Sequence, residues 1–218
     1  MECERLPSQA RGRYNLEEMK HAIEHLRRSD PVMAAIIDRV GAYRIEYRPA
    51  EFEALVRSIV YQQLSGRVAS VIFGRLAAAT GTPLTPQNIL KLRPARMRSL
   101  GLSKAKTEYI RDLARHTRDG KVTFEELDQL SDDEVSERLT QVKGIGTWTA
   151  HMFLMFALRR PDVLPVGDLG IRAAIRKAYG MKELPGPAEM EALAGRWRPW
   201  CSVASWYLWR SLEGDAKL

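Results

Sequence analysis

Apolar residues recur along this chain at steps of three and four, and strong cap signals cut the pattern into short stretches. Asn15 with Glu18 opens a helix bearing Leu16, Met19, Ile23 and Leu26. Asp30-Pro31 supplies an N-cap followed by proline at the first helical position, and Gly41 stops that helix. Pro49 starts another, with Phe52, Leu55, Val56, Ile59 and Val60 on one face. Ser65 starts the next, carrying Val68, Val71, Ile72 and Leu76 and ending at Gly81. Thr85-Pro86, Ser103, Thr123 and Ser131 are further start signals. Alternation with period two is unconvincing; Tyr43 to Tyr47 comes nearest and is short. No internal repeat or low-complexity linker stands out. The pattern predicts an all-α protein of about ten to twelve short helices.

One stretch carries more than packing. Ser131 and Glu134 form a capping-box pair that opens a helix with Val135, Leu139 and Val142. Gly144-Ile145-Gly146 then makes a tight turn into a second apolar helix bearing Trp148, Met152, Phe153, Met155, Phe156 and Leu158. Such a turn leaves backbone N–H groups at the second helix's N-terminus, where the helix dipole suits a phosphate oxygen. Asp168 stands 22 positions after Gly146, at the mouth of a further helix, Leu169 to Tyr179. On residue type alone it reads as that helix's N-cap. A phosphate anchor and one carboxylate form a small kit for chemistry on a nucleic acid.

Composition agrees without deciding the matter. The 34 Lys and Arg against 27 Asp and Glu leave a net charge of +7, which favours a polyanionic partner. The two cysteines, Cys3 and Cys201, exclude a disulfide framework, a four-cysteine zinc site and an iron–sulfur cluster. The histidines, His21, His25, His116 and His151, show no ligand spacing with them. The first residues lack the apolar centre of a signal peptide, and residues 1–13 read as a disordered tail. The most apolar run, Met152 to Leu158, is seven residues, too short to cross a bilayer. The expectation is a cytoplasmic protein that makes no membrane contact.

The segment 131–180, with its hairpin, loop and aspartate, resembles the helix-hairpin-helix glycosylases of base-excision DNA repair. The likeness extends upstream through Arg57-Ser58-Ile59-Val60-Tyr61-Gln62-Gln63-Leu64-Ser65 and Gly101-Leu102-Ser103-x-x-Lys106. It extends downstream through Arg196-Trp197-x-Pro199-Trp200 and Tyr207-Leu208-Trp209. It is greatest to the DNA-3-methyladenine glycosylase II branch and spans residues 20–213. The resemblance implies two helical lobes with a cleft between them. A central bundle over 51–160 would contain the hairpin, 131–158; residues 14–50 and 161–218 would form the terminal lobe.

The resemblance also implies roles. Asp168 falls where the family has its catalytic aspartate. Cleaving an N-glycosidic bond builds positive charge on the deoxyribose, and a fixed carboxylate stabilises that cation or orients the attacking water. Gly167 departs from a second acidic residue that some relatives have there. Trp148 occupies the hairpin position where strand-cutting relatives place a Schiff-base lysine, and Lys143 lies before the glycines. The enzyme expected is therefore monofunctional. Trp148, Met152 and Trp209 are the implied base pocket, with ordinary core packing the other reading of Trp148. Trp197, Trp200 and Trp206 have the spacing of a buried helix and read as core. Arg210 stands where some relatives have a further aromatic residue.

Gln63 aligns with the family's intercalating wedge, its neighbour Leu64 is the alternative, and a plain turn is the simpler reading. Gly144, Gly146, Thr147, Lys104 and Lys106 would hold DNA phosphates, unless the lysines are merely solvated. Carbonyls of Thr140, Val142 and Ile145 would take a monovalent cation, as in some relatives; no cofactor and no other metal is expected. The implied partner is double-stranded DNA containing alkylated bases, met by a monomer that in a bacterium would work at the nucleoid.

A pocket of tryptophan faces with few hydrogen-bond donors also implies a substrate. Alkylation at N3 of adenine or N7 of guanine makes the base cationic. Indole faces attract such a base by ~0.5–2 kcal/mol. It leaves without protonation, so no general acid is needed. The alternatives are a glycosylase for another lesion, such as hypoxanthine, an etheno adduct or a mismatched base, and a lesion-binding protein without turnover.

Overall fold

A computed structural model describes residues 16–213, and thirteen α-helices form among them. In order they are α1 (Leu16–Ser29), α2 (Pro31–Val40), α3 (Phe52–Tyr61), α4 (Gly66–Thr80), α5 (Pro86–Lys91), α6 (Pro94–Ser99) and α7 (Lys104–Arg118). There follow α8 (Phe124–Leu127), α9 (Asp132–Thr140), α10 (Thr147–Phe156), α11 (Leu169–Ala178), α12 (Pro187–Ala194) and α13 (Cys201–Glu213). No β-strand occurs among the described residues; Tyr43–Tyr47 is irregular. The tail expected over residues 1–13 and the Asn15 cap lie outside the described residues. No described helix is long and apolar enough to cross a membrane.

The helix starts follow their caps. Asp30 Oδ1 accepts the amides of Val32 and Met33, at 2.9 and 3.2 Å, and Pro31 begins α2 behind it. Ser65, Thr85 and Ser103 each accept the amide three residues on. Ser131 and Glu134 form the reciprocal capping box at α9.

The structure differs at several helices. Three have no expected start, α6, α12 and α13. The first two begin at a proline behind a residue that offers no side-chain cap, Arg93 and Gly186. The helix expected from Pro49 begins at Phe52, because the Pro49 carbonyl first takes the amide of Glu51 in a tight turn. The α10 helix stops at Phe156, before Leu158, where the amides of Ala157 and Leu158 both turn onto the carbonyl of Phe153. On α4 the buried face is Ala69, Ile72 and Leu76; Val68 and Val71, expected on it, are exposed.

Two compact units result. Arg48–Leu158 forms one, and the chain up to Tyr47 with the chain from Arg159 forms the other. In the first, α7 packs on α3, α5 and α6, while α9 and α10 pack as a pair. Its interior includes Leu55, Ile59, Leu76, Ile110, Leu113 and Leu139. In the second, α13 packs on α1, α2 and α11 around Leu26, Met33, Ile175, Trp197 and Tyr207. Trp197 is wholly buried, Trp206 nearly so, and Trp200 packs against the same cluster. Asp30 is a wholly buried carboxylate beside that core. Its Oδ2 accepts from Trp197 Nε1 at 3.0 Å and from the Tyr179 hydroxyl.

Candidate active site and nucleic-acid interface

The hairpin is built by three constraints on one turn. The Lys143 amide donates to the buried Asp112 carboxylate at 3.0 Å. Ile145, the apolar residue between the glycines, is buried and closes the turn by donating to the Val142 carbonyl at 3.1 Å. Gly144 has φ +80°, and a Cβ there would stand 2.1 Å from the Tyr109 ring. Only glycine meets both conditions. Gly146 differs: it is extended, and a Cβ there would meet nothing within 4 Å. It is the N-cap of α10 and has no side chain to satisfy that helix's first turn. The N-terminus is thus sterically open to an approaching anion.

The Gln62–Gln63 turn is tied to this hairpin. Gln62 Nε2 donates to the Gly144 carbonyl at 2.9 Å. Lys106 Nζ donates to the carbonyls of Val60 and Gln62, at 2.7 and 2.6 Å, and so fastens the C-terminal end of α3. Lys106, which the resemblance implies on a phosphate, makes these two internal bonds. Partial burial lowers its pKa. Gln63 sits in the left-handed region at φ +55°, which a non-glycine residue occupies at a cost. It is exposed, as is Leu64.

Trp148 and Met152 lie one helical turn apart on α10 and line one cavity of about 520 Å³ with Gln62, Gln63, Gly144 and Gly146. That is the size of a small-molecule site. Trp148 is 47 % exposed, so the core-packing reading of it does not hold. The cavity is richer in donors than the sequence suggested, since Arg48, Arg57 and Ser58 also line it. Arg57 lies 4.2 Å from the Tyr61 ring centroid and 5.2 Å from that of Phe73. Arg57 has no signal in the sequence beyond a place in the Arg57–Ser65 motif, and Arg48 has none.

Asp168 and Trp209 come together in the other unit. Asp168 is the N-cap of α11, and its Oδ1 accepts the Ile171 amide at 2.8 Å. The same oxygen accepts Trp209 Nε1 at 2.9 Å, so the expected pocket wall also holds the expected catalytic group. The carboxylate is 8 % exposed, while the next residue, Leu169, projects into solvent. A fixed anion just beneath a surface can face a developing cation without losing its orientation. Cys201, by contrast, is buried, and burial pushes its thiol pKa up, so it offers no nucleophile. Among the described residues no group of three or more His, Cys, Asp or Glu side chains is arranged to hold a metal ion.

This hairpin-and-aspartate architecture belongs to a known class. Residues 56–199 match the family model of the HhH-GPD superfamily of base excision DNA repair proteins, and the chain belongs to that family. It is 34 % identical over 193 residues to DNA-3-methyladenine glycosylase 1 of Schizosaccharomyces pombe, covering 86 % of this chain and 85 % of the relative. It is 29 % identical to the putative DNA-3-methyladenine glycosylase YfjP of Bacillus subtilis, over 89 % of this chain and 70 % of that one. Among solved structures, a DNA-3-methyladenine glycosidase of Bacillus halodurans matches with TM-score 0.82 and 36 % identity, covering 90 % of this chain and 91 % of its own. The S. pombe 3-methyladenine DNA glycosylase in complex with abasic DNA matches with TM-score 0.77 and 34 % identity, over 87 % and 95 % of the two chains.

Proposed function

We propose that this protein is a monofunctional DNA glycosylase that everts alkylated purines of the 3-methyladenine and 7-methylguanine type from duplex DNA and hydrolyses their N-glycosidic bond. The observation that carries the reading is the doubly held Asp168 carboxylate, in a chain similar to named 3-methyladenine glycosylases. Asp168 stabilises the sugar cation as the bond lengthens and orients the water that replaces the base. The exposed face of Trp148, with Met152 beside it, offers apolar surface to the base. Discrimination comes from leaving ability, since normal bases hold their glycosidic bonds more strongly.

Eversion costs a few kcal/mol, least at a damaged pair. Gln63, held out by its left-handed backbone, fills the gap, with Leu64 beside it. The amides of Gly146 and Thr147 receive a backbone phosphate. The carbonyls of Thr140, Val142 and Ile145 would hold a monovalent cation, which would supply positive charge at the hairpin. Val142's oxygen already takes one amide and retains a second lone pair. The protein acts as a monomer.

The test is incubation with methylated duplex DNA, followed by chromatography of the liberated bases. Release of 3-methyladenine and 7-methylguanine is expected, and no release overturns the proposal. The donors Arg48 and Arg57 favour a second reading, in which a neutral lesion such as hypoxanthine is also accepted. A hypoxanthine-containing duplex in the same assay distinguishes the two.

A further inference from the structure

Five basic side chains line a hollow of which the family resemblance implicates Lys104 alone. Lys104, Glu108, Arg111 and Arg115 follow one another along α7 at steps of three and four, with Thr107 beside Glu108. With Arg98 of α6 and Lys143 of the hairpin they line a hollow of about 380 Å³, separate from the cavity at Trp148. Five of these side chains are cationic, and Glu108 is the single anion.

The cations divide by task. Arg111 is committed to the fold, donating to the Leu92 carbonyl at 2.7 Å, and Arg115 reaches Asp112 at 3.5 Å. The cationic side chains of Arg98, Lys104 and Lys143 have no carboxylate partner among the described residues. Thr107, which also lines the hollow, is 3 % exposed, and its hydroxyl has no hydrogen-bond partner. Thr80, Thr117 and Thr140, also within or ending helices, each donate to the carbonyl four residues back. Thr107 does not. A helical threonine has two accessible χ1 wells, so this hydroxyl can turn from the interior to the hollow. A concentration of uncompensated positive charge over an unsatisfied hydroxyl is the chemistry of a phosphate receptor.

We propose that this hollow is a second phosphate site, in which Arg98, Lys104 and Lys143 neutralise the anion and Thr107 donates to it. Lys143 adjoins Gly144, so a duplex gripped at the Gly-Ile-Gly turn has further backbone close by. The phosphate is then one of the DNA's own, a source that rests on the DNA-binding reading above. A free phosphate offers the same chemistry.

The test uses the full chain and undamaged duplex DNA, with affinity followed by anisotropy across a salt titration. In the Arg98→Gln/Lys104→Gln double variant the slope of log K against log salt is expected to fall by about 0.9, the value for one lost phosphate contact. Lys121→Gln, beyond the far end of α7, leaves the slope unchanged. Thr107→Val weakens binding roughly tenfold while its Tm holds or rises, because a buried unpaired hydroxyl has been removed. Inorganic phosphate alone, followed through the Lys104–Thr107 amide resonances, separates the sources. Saturable shifts with unaltered DNA slopes keep the site and assign it a free phosphate. Unaltered slopes and no saturable shift overturn it. Failure to release methylated bases would sink the glycosylase reading and leave these slopes untouched.

Discussion

Trp209 Nε1 donates to Asp168 Oδ1 at 2.9 Å, and the Ile171 amide reaches the same oxygen at 2.8 Å. Donors from α13 and α11 thus fix the rotation of one carboxylate. Gly170 makes this possible: a Cβ there would lie 3.1 Å from Asp168 Oδ1 and 3.2 Å from Trp209 Cδ1. Trp209→Phe keeps most of the ring surface and loses the donor. Single-turnover base release is expected to fall about tenfold while affinity for lesion DNA stays within about threefold. Gly170→Ala should move the rate in the same direction. If rate and affinity fall together, Trp209 is a pocket wall and nothing more.

Asp168→Asn preserves the cap and removes the charge. Base release should drop at least a hundredfold, about 2.7 kcal/mol of barrier, with lesion binding retained. Release near the wild-type rate would take Asp168 out of the chemistry.

With Trp148 at the hairpin position of the implied attacking lysine, and Lys143 before the glycines, no amine is expected to attack the sugar. Wild-type protein is expected to give abasic sites that break only on alkali treatment, and borohydride should trap no protein–DNA adduct. An intact nicking activity in mild buffer, or a trapped adduct, contradicts this.

Gly144→Ala forces a Cβ to 2.1 Å from the Tyr109 ring at a backbone φ of +80°. The hairpin must shift, and with it the Gln62 bond to the Gly144 carbonyl. A loss of roughly 2 kcal/mol or more of folding stability is expected, with weaker binding to undamaged duplex. Gly146→Ala should leave Tm almost unchanged and weaken DNA binding alone, because its Cβ meets only open space.

Acid should unfold the terminal unit through Asp30. Burial pushes this carboxyl up, but the Tyr179, Trp197, Met33 and Val32 donors outweigh it and hold its pKa below the ordinary value. A depressed carboxyl stabilises the fold above the ordinary aspartate pKa of about 4, and that contribution fades as pH falls towards the folded value. Asp30→Asn should flatten the acid limb of a stability-against-pH curve. At neutral pH it should cost roughly 2 kcal/mol, since an amide cannot accept from every donor the carboxylate serves. An acid limb as steep as wild type's would rule Asp30 out as its source.

What the sequence disclosed follows from range. The caps at Asp30, Ser65, Thr85, Ser103 and Ser131 are contacts between residues two or three apart, so the local pattern contains them. The hairpin and the aspartate after it were legible for the same reason. Bonds that cross the chain were not. Gln62 and Gly144 are 82 positions apart, Lys106 and Val60 are 46 apart, and Tyr179 and Asp30 are 149 apart. Nothing near Lys106 distinguishes a lysine that caps a helix end from one that waits for a phosphate. The exposure of Val68 and Val71 was hidden too, because the apolar spacing on α4 is wider than the stripe it buries. Proline-led helices behind Arg93 and Gly186 went unseen because their caps lack the usual oxygen.

The α11 helix is anchored at both extremities by an acid, Asp168 at its first turn and Asp30 through Tyr179 just past its last. Ten residues separate them, about 15 Å of nearly incompressible rod. Loosening the distal anchor is therefore expected to reach Asp168, the proposed catalytic group. Tyr179→Phe, which removes one donor to Asp30, is expected to slow base release as well as lower stability.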